Sequence, residues 1–223
     1  MATKTIKQTI KIAVDSVIFT VQAGELKVLL IQMKKKPFAG MWAVPGGLIE
    51  QQETTEQAAR RILKAQTAMS NVYLEQLKTF DHPKRDPLTR TISVAHFALV
   101  IGEDVTLKTT DKYTDVRWWS LSHLPTLAYD HKEMIQDAVG RLQAKLEYTN
   151  VVWSLLPKDF TLTDLQRIYE IILGISFDKR NFRKKILSLN LIKKSGKQRK
   201  GEANRPAELY QFKHRILEYI DVL

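Results

Sequence analysis

The sequence predicts two units of different class, an α/β sandwich with a mixed sheet over residues 1–147 and a smaller, basic α+β unit over residues 148–223. Three observations carry this. β-Branched runs alternate with segments of helical apolar period in the first part, the pattern of a sheet covered by helices. The 44% apolar content over 223 residues is enough for two cores. The charge is uneven: of a net +11, residues 1–149 carry 20 basic and 16 acidic side chains, while Lys179 to Arg215 alone carry 13 and 2.

Taken in order, Ile10 to Val21 reads as a strand, turned by Ala23-Gly24-Glu25 into a second apolar run, Lys27 to Met33. Thr54 and Gln57 have the spacing of a capping box, which starts a helix reaching about Gln66. Tyr73 to Phe80 is a strand, and Asp81 to Leu88 is a loop punctuated by Pro83 and Pro87. Strands follow at Thr91 to Ile101 and Asp115 to Leu121. Asp130 and Glu133 then cap a helix whose Met134, Ile135, Ala138, Val139, Leu142 and Leu146 fall on one stripe.

Past Leu146 the character changes. Tyr148 to Pro157 is a connector too apolar to be a free linker, so it is expected to pack between the units. Thr163 with Gln166 forms a second capping box, opening a helix that Gly174 ends. Asp178 caps another helix, with Phe182, Ile186 and Leu189 inward. Leu191 to Lys194 and Leu209 to Phe212 are short strands around a basic loop, Ser195 to Pro206. Helix, turn, basic helix and basic hairpin together make a winged helix-turn-helix.

That arrangement points to double-stranded DNA. A helix fits the major groove, and its early residues reach base edges, so Arg180, Asn181 and Arg183 are the candidate readers. Lys179, Lys184, Lys185, Lys193, Lys194, Lys197 and Lys200 are suited to phosphates. Arg199 and Arg205, in the wing, are candidates for a minor groove. For any single lysine the alternative is a solvated surface.

In the first unit the segment Trp42-Ala43-Val44-Pro45-Gly46-Gly47 is followed by Glu53 and then, eight residues on, by Arg61. This spacing resembles the signature of the Nudix hydrolases. Phe38 to Trp42 and Leu127 to His131 are similar to the segments that flank it there. In that family three Glu follow the Arg; here those positions read Ile62, Ala65 and Gln66, and the final Gly is Ala68. The three positions lie within one helical turn and are expected to share one face. Carboxylates there would hold Mg²⁺ against a pyrophosphate, whereas Ile and Ala ligate nothing and the Gln amide is neutral. Hence no catalytic residue, no metal and no cofactor is assigned, Mg²⁺ entering only if residual hydrolysis exists.

The second unit extends the resemblance. Phe160-Thr161-Leu162, Asp178 to Arg183 and Arg205 to Tyr210 look like the DNA-binding part of Nudix-related transcriptional regulators. The resemblance implies a ligand-sensing Nudix-like domain, at 1–147, fused to a DNA-binding domain, at 148–223. It further implies a homodimer on operator DNA, and a repressor of NAD-metabolism or related genes. The effector would be ADP-ribose, another nucleotide or a sugar. Candidate ligand residues are Trp42 for stacking, Gly46 and Gly47 for close backbone approach, and Arg85, Arg90 and His131 around the loop. Glu53 and Arg61 complete the set, either facing the ligand or forming a structural ion pair.

Composition excludes other classes. With no cysteine there are no disulfides, zinc thiolates or thiol nucleophiles. The N-terminus has no signal-peptide core and no apolar run spans a bilayer, so a cytoplasmic location is expected and no membrane partner. Two other readings stay open. One is an active Nudix hydrolase, such as an ADP-ribose pyrophosphatase, with a remodelled metal site. The other is a constitutive DNA-binding module.

Overall fold

In the computed structural model, residues 9–102, 105–109, 112–199 and 206–222 are described. Lys11–Gln22 (β1) and Glu25–Met33 (β2) form a hairpin whose turn places Ala23 and Gly24 at φ 54° and 79°, the left-handed pair that two-residue hairpins require. From Ala13 to Thr20 β1 is buried on both faces, as a strand between two helical layers must be. Thr91–Leu99 (β6) runs parallel to β1, and Tyr73–Phe80 (β5) lies antiparallel to β6 at the edge. Tyr113–Ser120 (β7) pairs along the far side of β2.

The important irregularity lies between β1 and β2. They pair only from Phe19 to Gln22 against Glu25 to Val28 and then diverge. The gap is filled by two short strands from the motif segment: Trp42–Ala43 (β3) pairs with β2, and Gly46–Leu48 (β4) pairs with β1. A wedge thus opens in the middle of a seven-stranded sheet.

One face of the sheet is covered by Thr55–Thr67 (α1), with Ala58, Ala59, Ile62 and Leu63 against Val14, Ile18 and Ala98. The other is covered by His131–Tyr148 (α2), with Met134, Ile135, Ala138 and Leu142 against Val17, Phe19 and Phe97. The Thr54–Gln57 capping box forms in full. Asp130 does stand at the N-cap of α2, but its carboxylate makes no cap hydrogen bond, because it is drawn to Arg85 instead.

The apolar cluster under α2 continues through a 3-10 turn at Val151–Leu155 into the second unit, made of Leu162–Leu173 (α3), Lys179–Ser188 (α4), Ile192–Arg199 (β8) and Ala207–Phe212 (β9). The cap of α3 is Thr161 with Asp164, two residues earlier than the expected Thr163 with Gln166. Gln166 bonds to Glu170 and to the Phe177 carbonyl. β8 runs on through the expected loop to Arg199, by way of a register shift at which Gly196 adopts φ 77°. The chain then returns to the first unit: Asn150 donates to the Ile216 carbonyl and accepts from Glu218 N–H, and Tyr219 stacks on Tyr148. No described helix is long and apolar enough to cross a membrane.

Candidate ligand cleft and nucleic-acid interface

The wedge between β1 and β2 is the floor of a 270 Å³ cleft lined by Asp15, Val44, Gly46, Gly47, Leu48, Arg85, Asp86, Thr91, Tyr113, Tyr129 and His131, among others. A second hollow, of 720 Å³, lies on the other side of Arg85 and Tyr129, between Phe38, Phe80, His82, Lys84 and Asp130. These two side chains form the wall common to both. Tyr129 holds φ 54°, an unusual backbone state for a bulky residue, and its ring sits between Phe38 and His131 with centroids at 4.3 and 5.1 Å.

A buried ionic network organises the wall. Arg85 Nε and Nη2 each donate to Asp130 at 2.8 Å, and Nη2 also reaches Asp15 Oδ2 at 3.4 Å. Ser93 Oγ donates to the same Asp15 oxygen at 2.6 Å. Val44 N–H donates to His131 Nδ1 at 3.1 Å, which leaves the ring proton on Nε2, 3.7 Å from Asp15. Burial works against ionisation of Asp15, but the nearby His131 N–H, the Ser93 hydrogen bond and the Arg85 charge outweigh it, so its carboxyl stays below the ordinary carboxylate value. The hydrogen-bonded partners lie 45 to 87 positions apart in sequence, and only the fold brings them together.

The expected ligand residues divide. Gly46, Gly47, Arg85 and His131 line the smaller cleft. Gly46 answers a second need besides the one read in the sequence: a Cβ there would stand 1.9 Å from Asp15 Oδ1, so the glycine also makes room for a carboxylate. Trp42 is buried core, edge-on to Trp119, and faces neither hollow. Arg90 donates to the Asp81 carbonyl and fastens the base of the loop. Glu53 and Arg61 are a bidentate pair at 2.7 Å, with Arg61 also holding the Leu48 carbonyl; this is the structural alternative. The Arg61 hydrogen bonds hold the Glu53 carboxyl down to about 2.

Positions 62, 65 and 66 lie on one face of α1, as expected, but that face is only partly turned to the core. Ile62 and Gln66 point inward, Ile62 against Val14 and Ala58, while Ala65 is exposed. Gln66 Oε1 is buried without a hydrogen-bond partner among the described residues, one neutral oxygen where a set of carboxylates would be needed. The residues present do not fit Mg²⁺.

On the second unit, Lys179, Arg180, Asn181 and Lys184 are exposed along α4, and Asn181 N–H is the donor in the Asp178 cap. Arg183, expected beside Arg180 as a reader, is half-buried and leans on α3, where its Nη2 lies 3.4 Å from Thr163 Oγ1. Lys193 is exposed on β8. Lys197 and Arg199 are tied down, to Asp159 at 2.9 Å and Asp164 at 3.0 Å. Lys200 and Arg205 lie outside the described residues. Sequence reasoning missed Tyr129, Asp15 and Asp130 as members of the cleft, although Asp130 and Tyr129 stood in the segment it singled out.

Comparison with known proteins agrees with both halves of this geometry. The family model described as "NUDIX domain" matches residues 10–138, and that described as "NrtR DNA-binding winged helix domain" matches residues 152–212. An ADPR-responsive transcriptional repressor of Acinetobacter baylyi is 37% identical over 203 residues, covering 89% of this chain and 80% of that one. The crystal structure of Shewanella oneidensis NrtR complexed with a 27mer DNA superposes with a TM-score of 0.81 at 36% identity, over 91% of this chain and 93% of that one. The NUDIX domain of the same Shewanella protein, complexed with ADP ribose, matches 60% of this chain and 90% of that one at 35% identity, with a TM-score of 0.56. An ADP-ribose pyrophosphatase of Methanocaldococcus jannaschii is 36% identical over 126 residues, 56% of this chain and 71% of that one.

Proposed function

Since this chain belongs to the NUDIX-domain family, in the branch that carries the NrtR winged helix, we propose that it is an ADP-ribose-responsive transcriptional repressor. α4 and the wing bind operator DNA, and the cleft of the Nudix domain takes the effector. The observation that carries this is the pairing of two sites in one chain. One is an exposed basic helix in a winged fold that resembles a DNA-bound relative throughout. The other is a two-part hollow whose larger part falls in the range of about 300–1,000 Å³ typical of small-molecule sites. ADP-ribose lies across the Arg85–Tyr129 wall, with the diphosphate at the guanidinium. Two copies on a pseudo-palindromic operator follow from the geometry of helix-turn-helix binding.

The chain binds ADP-ribose without hydrolysing it, because the Nudix carboxylate positions are Ile62, Ala65 and Gln66. The test is binding of the full chain to a duplex from upstream of its own gene, with and without ADP-ribose. An affinity that does not respond to the nucleotide overturns the sensor reading. The similarity to the Methanocaldococcus pyrophosphatase favours a second reading, an enzyme. Release of AMP from ADP-ribose in Mg²⁺ or Mn²⁺, abolished in Glu53→Gln, would establish it in place of the first.

A further inference from the structure

Asp130 stands at the N-cap of α2 and yet does not cap it. Aspartate is among the best N-cap residues because its carboxylate accepts from the second or third amide of the helix. Here both carboxylate oxygens are held by Arg85 at 2.8 Å, and the first turn of an 18-residue helix has no side-chain cap. Arg85 is in turn the cation shared by both hollows. Asp130 sits at φ −93°, ψ 20°, outside the extended region that a capping residue adopts. Reaching the helix amides requires its backbone to turn to that region, which takes the carboxylate away from the guanidinium on the ligand side.

We propose that Asp130 is a two-position switch. In one position, the one in this structure, it binds Arg85; in the other, reached when a diphosphate-bearing nucleotide engages Arg85, its backbone turns and it caps α2. This rests on the reading of the cleft as the ADP-ribose site. An anion competes for Arg85 in kind, since phosphate and carboxylate both accept from a guanidinium in bidentate fashion. The released carboxylate gains the helix amides and the favourable end of the helix dipole.

The far end of α2 explains why this would matter to DNA. The helix is about 27 Å long, and Gln143, in its penultimate turn, donates to the Ile172 carbonyl of α3 at 2.8 Å. Just beyond it Asn150 grips the returning chain through Ile216 and Glu218. The N-terminus of α2 is thus in the ligand wall and its C-terminus is bonded to the DNA-binding unit. A change in how its first turn is held reaches the recognition helix through packed, hydrogen-bonded contacts.

Amide hydrogen exchange on the full chain tests this, with ADP-ribose binding measured alongside by calorimetry. The amides of Lys132 and Glu133 should gain about fivefold protection on saturation with ADP-ribose. Asp130→Asn can cap but cannot pair ionically with Arg85, so it should show that protection without nucleotide. Its affinity for the upstream duplex should match that of the nucleotide-saturated wild type, within a coupling of about 5–150-fold. Asp130→Ala should show neither change. Calorimetric binding with unchanged first-turn exchange would overturn the switch alone. Asn behaving as nucleotide-free wild type would do the same. Absence of binding heat and of any effect on DNA would overturn the effector reading and the switch with it.

Discussion

Arg85 and Arg180 are the same residue type placed in opposite circumstances. Arg85 is buried, with Asp130 and Asp15 on either side, and the fold has organised its surroundings around its charge. Arg180 is exposed on α4, with Lys179, Asn181 and Lys184 as equally exposed neighbours. The charge of Arg85 is neutralised inside the fold, whereas that of Arg180 is left to solvent. A buried guanidinium held by carboxylates contributes to folding and yields only to a strong anion. An exposed one contributes little to folding and is free to meet a phosphate or a base. The two regions should therefore respond to the same mutation in different measurements.

The largest effect is expected at Arg85. Changing it to Ala leaves two carboxylates without their countercharge, one of them buried, and should lower the unfolding free energy by about 3–5 kcal/mol in denaturant titration. A loss below 1 kcal/mol would mean that the cleft is open enough for water to replace the guanidinium. Next comes Arg180→Ala. It should weaken operator binding by about 1–3 kcal/mol and relax preference at one base position, with an unchanged thermal midpoint. Equal losses on specific and random duplexes would remove α4 as the reader.

Smaller effects sharpen the comparison within the DNA-binding unit itself. Lys193→Ala should reduce the slope of log affinity against log salt by about one unit. Lys197→Ala should reduce it less, because Asp159 already holds that ammonium. Equal slopes would show that the Lys197–Asp159 pair opens on DNA. The smallest effect concerns acid. Glu53 is depressed from 4.5 to about 2 in the folded state by Arg61, so it binds fewer protons folded than unfolded. Its contribution is complete above pH 4.5 and is lost as pH falls toward 2. Glu53→Gln should flatten the stability–pH curve in that window and lower stability at pH 7 by that same contribution, with the least change near pH 2.

Local signals were the legible ones. The Thr54–Gln57 box, the Asp178 cap and the Gly174 stop each sit within a few residues of the structure they dictate. The Glu53–Arg61 pair could be read as a structural alternative, because both ends lie in one motif. Where two local patterns overlapped, choice failed: Thr161–Asp164 and Thr163–Gln166 both have capping spacing, and tertiary burial of Leu162 favours the earlier one. Gly196 fell inside the expected basic loop, yet in the paired hairpin the same left-handed residue sits at a register shift across which the strand continues. The Asp15–Arg85–Asp130 network had no local signal, since its members come from β1, a loop and the start of α2. Arg183 shows the same limit, because helical position alone does not say which way a long side chain leans.

The close approach of Asp15 to Gly46 has a consequence for the order in which this protein can change. Any side chain at residue 46 collides with a carboxylate that has formed first in the logic of the site. Residue 15, by contrast, can shrink to Ala or Ser without obstruction from residue 46. Substitution is thus directional: the glycine becomes replaceable only after the aspartate has gone, and once it has been replaced the aspartate has no way back. A library that varies both positions should recover Asp15 with Gly46, and Ala at 46 only beside a small residue at 15, since the Val14 carbonyl would stand 3.2 Å from that Cβ in any case; Asp15 beside a side chain at 46 should be absent.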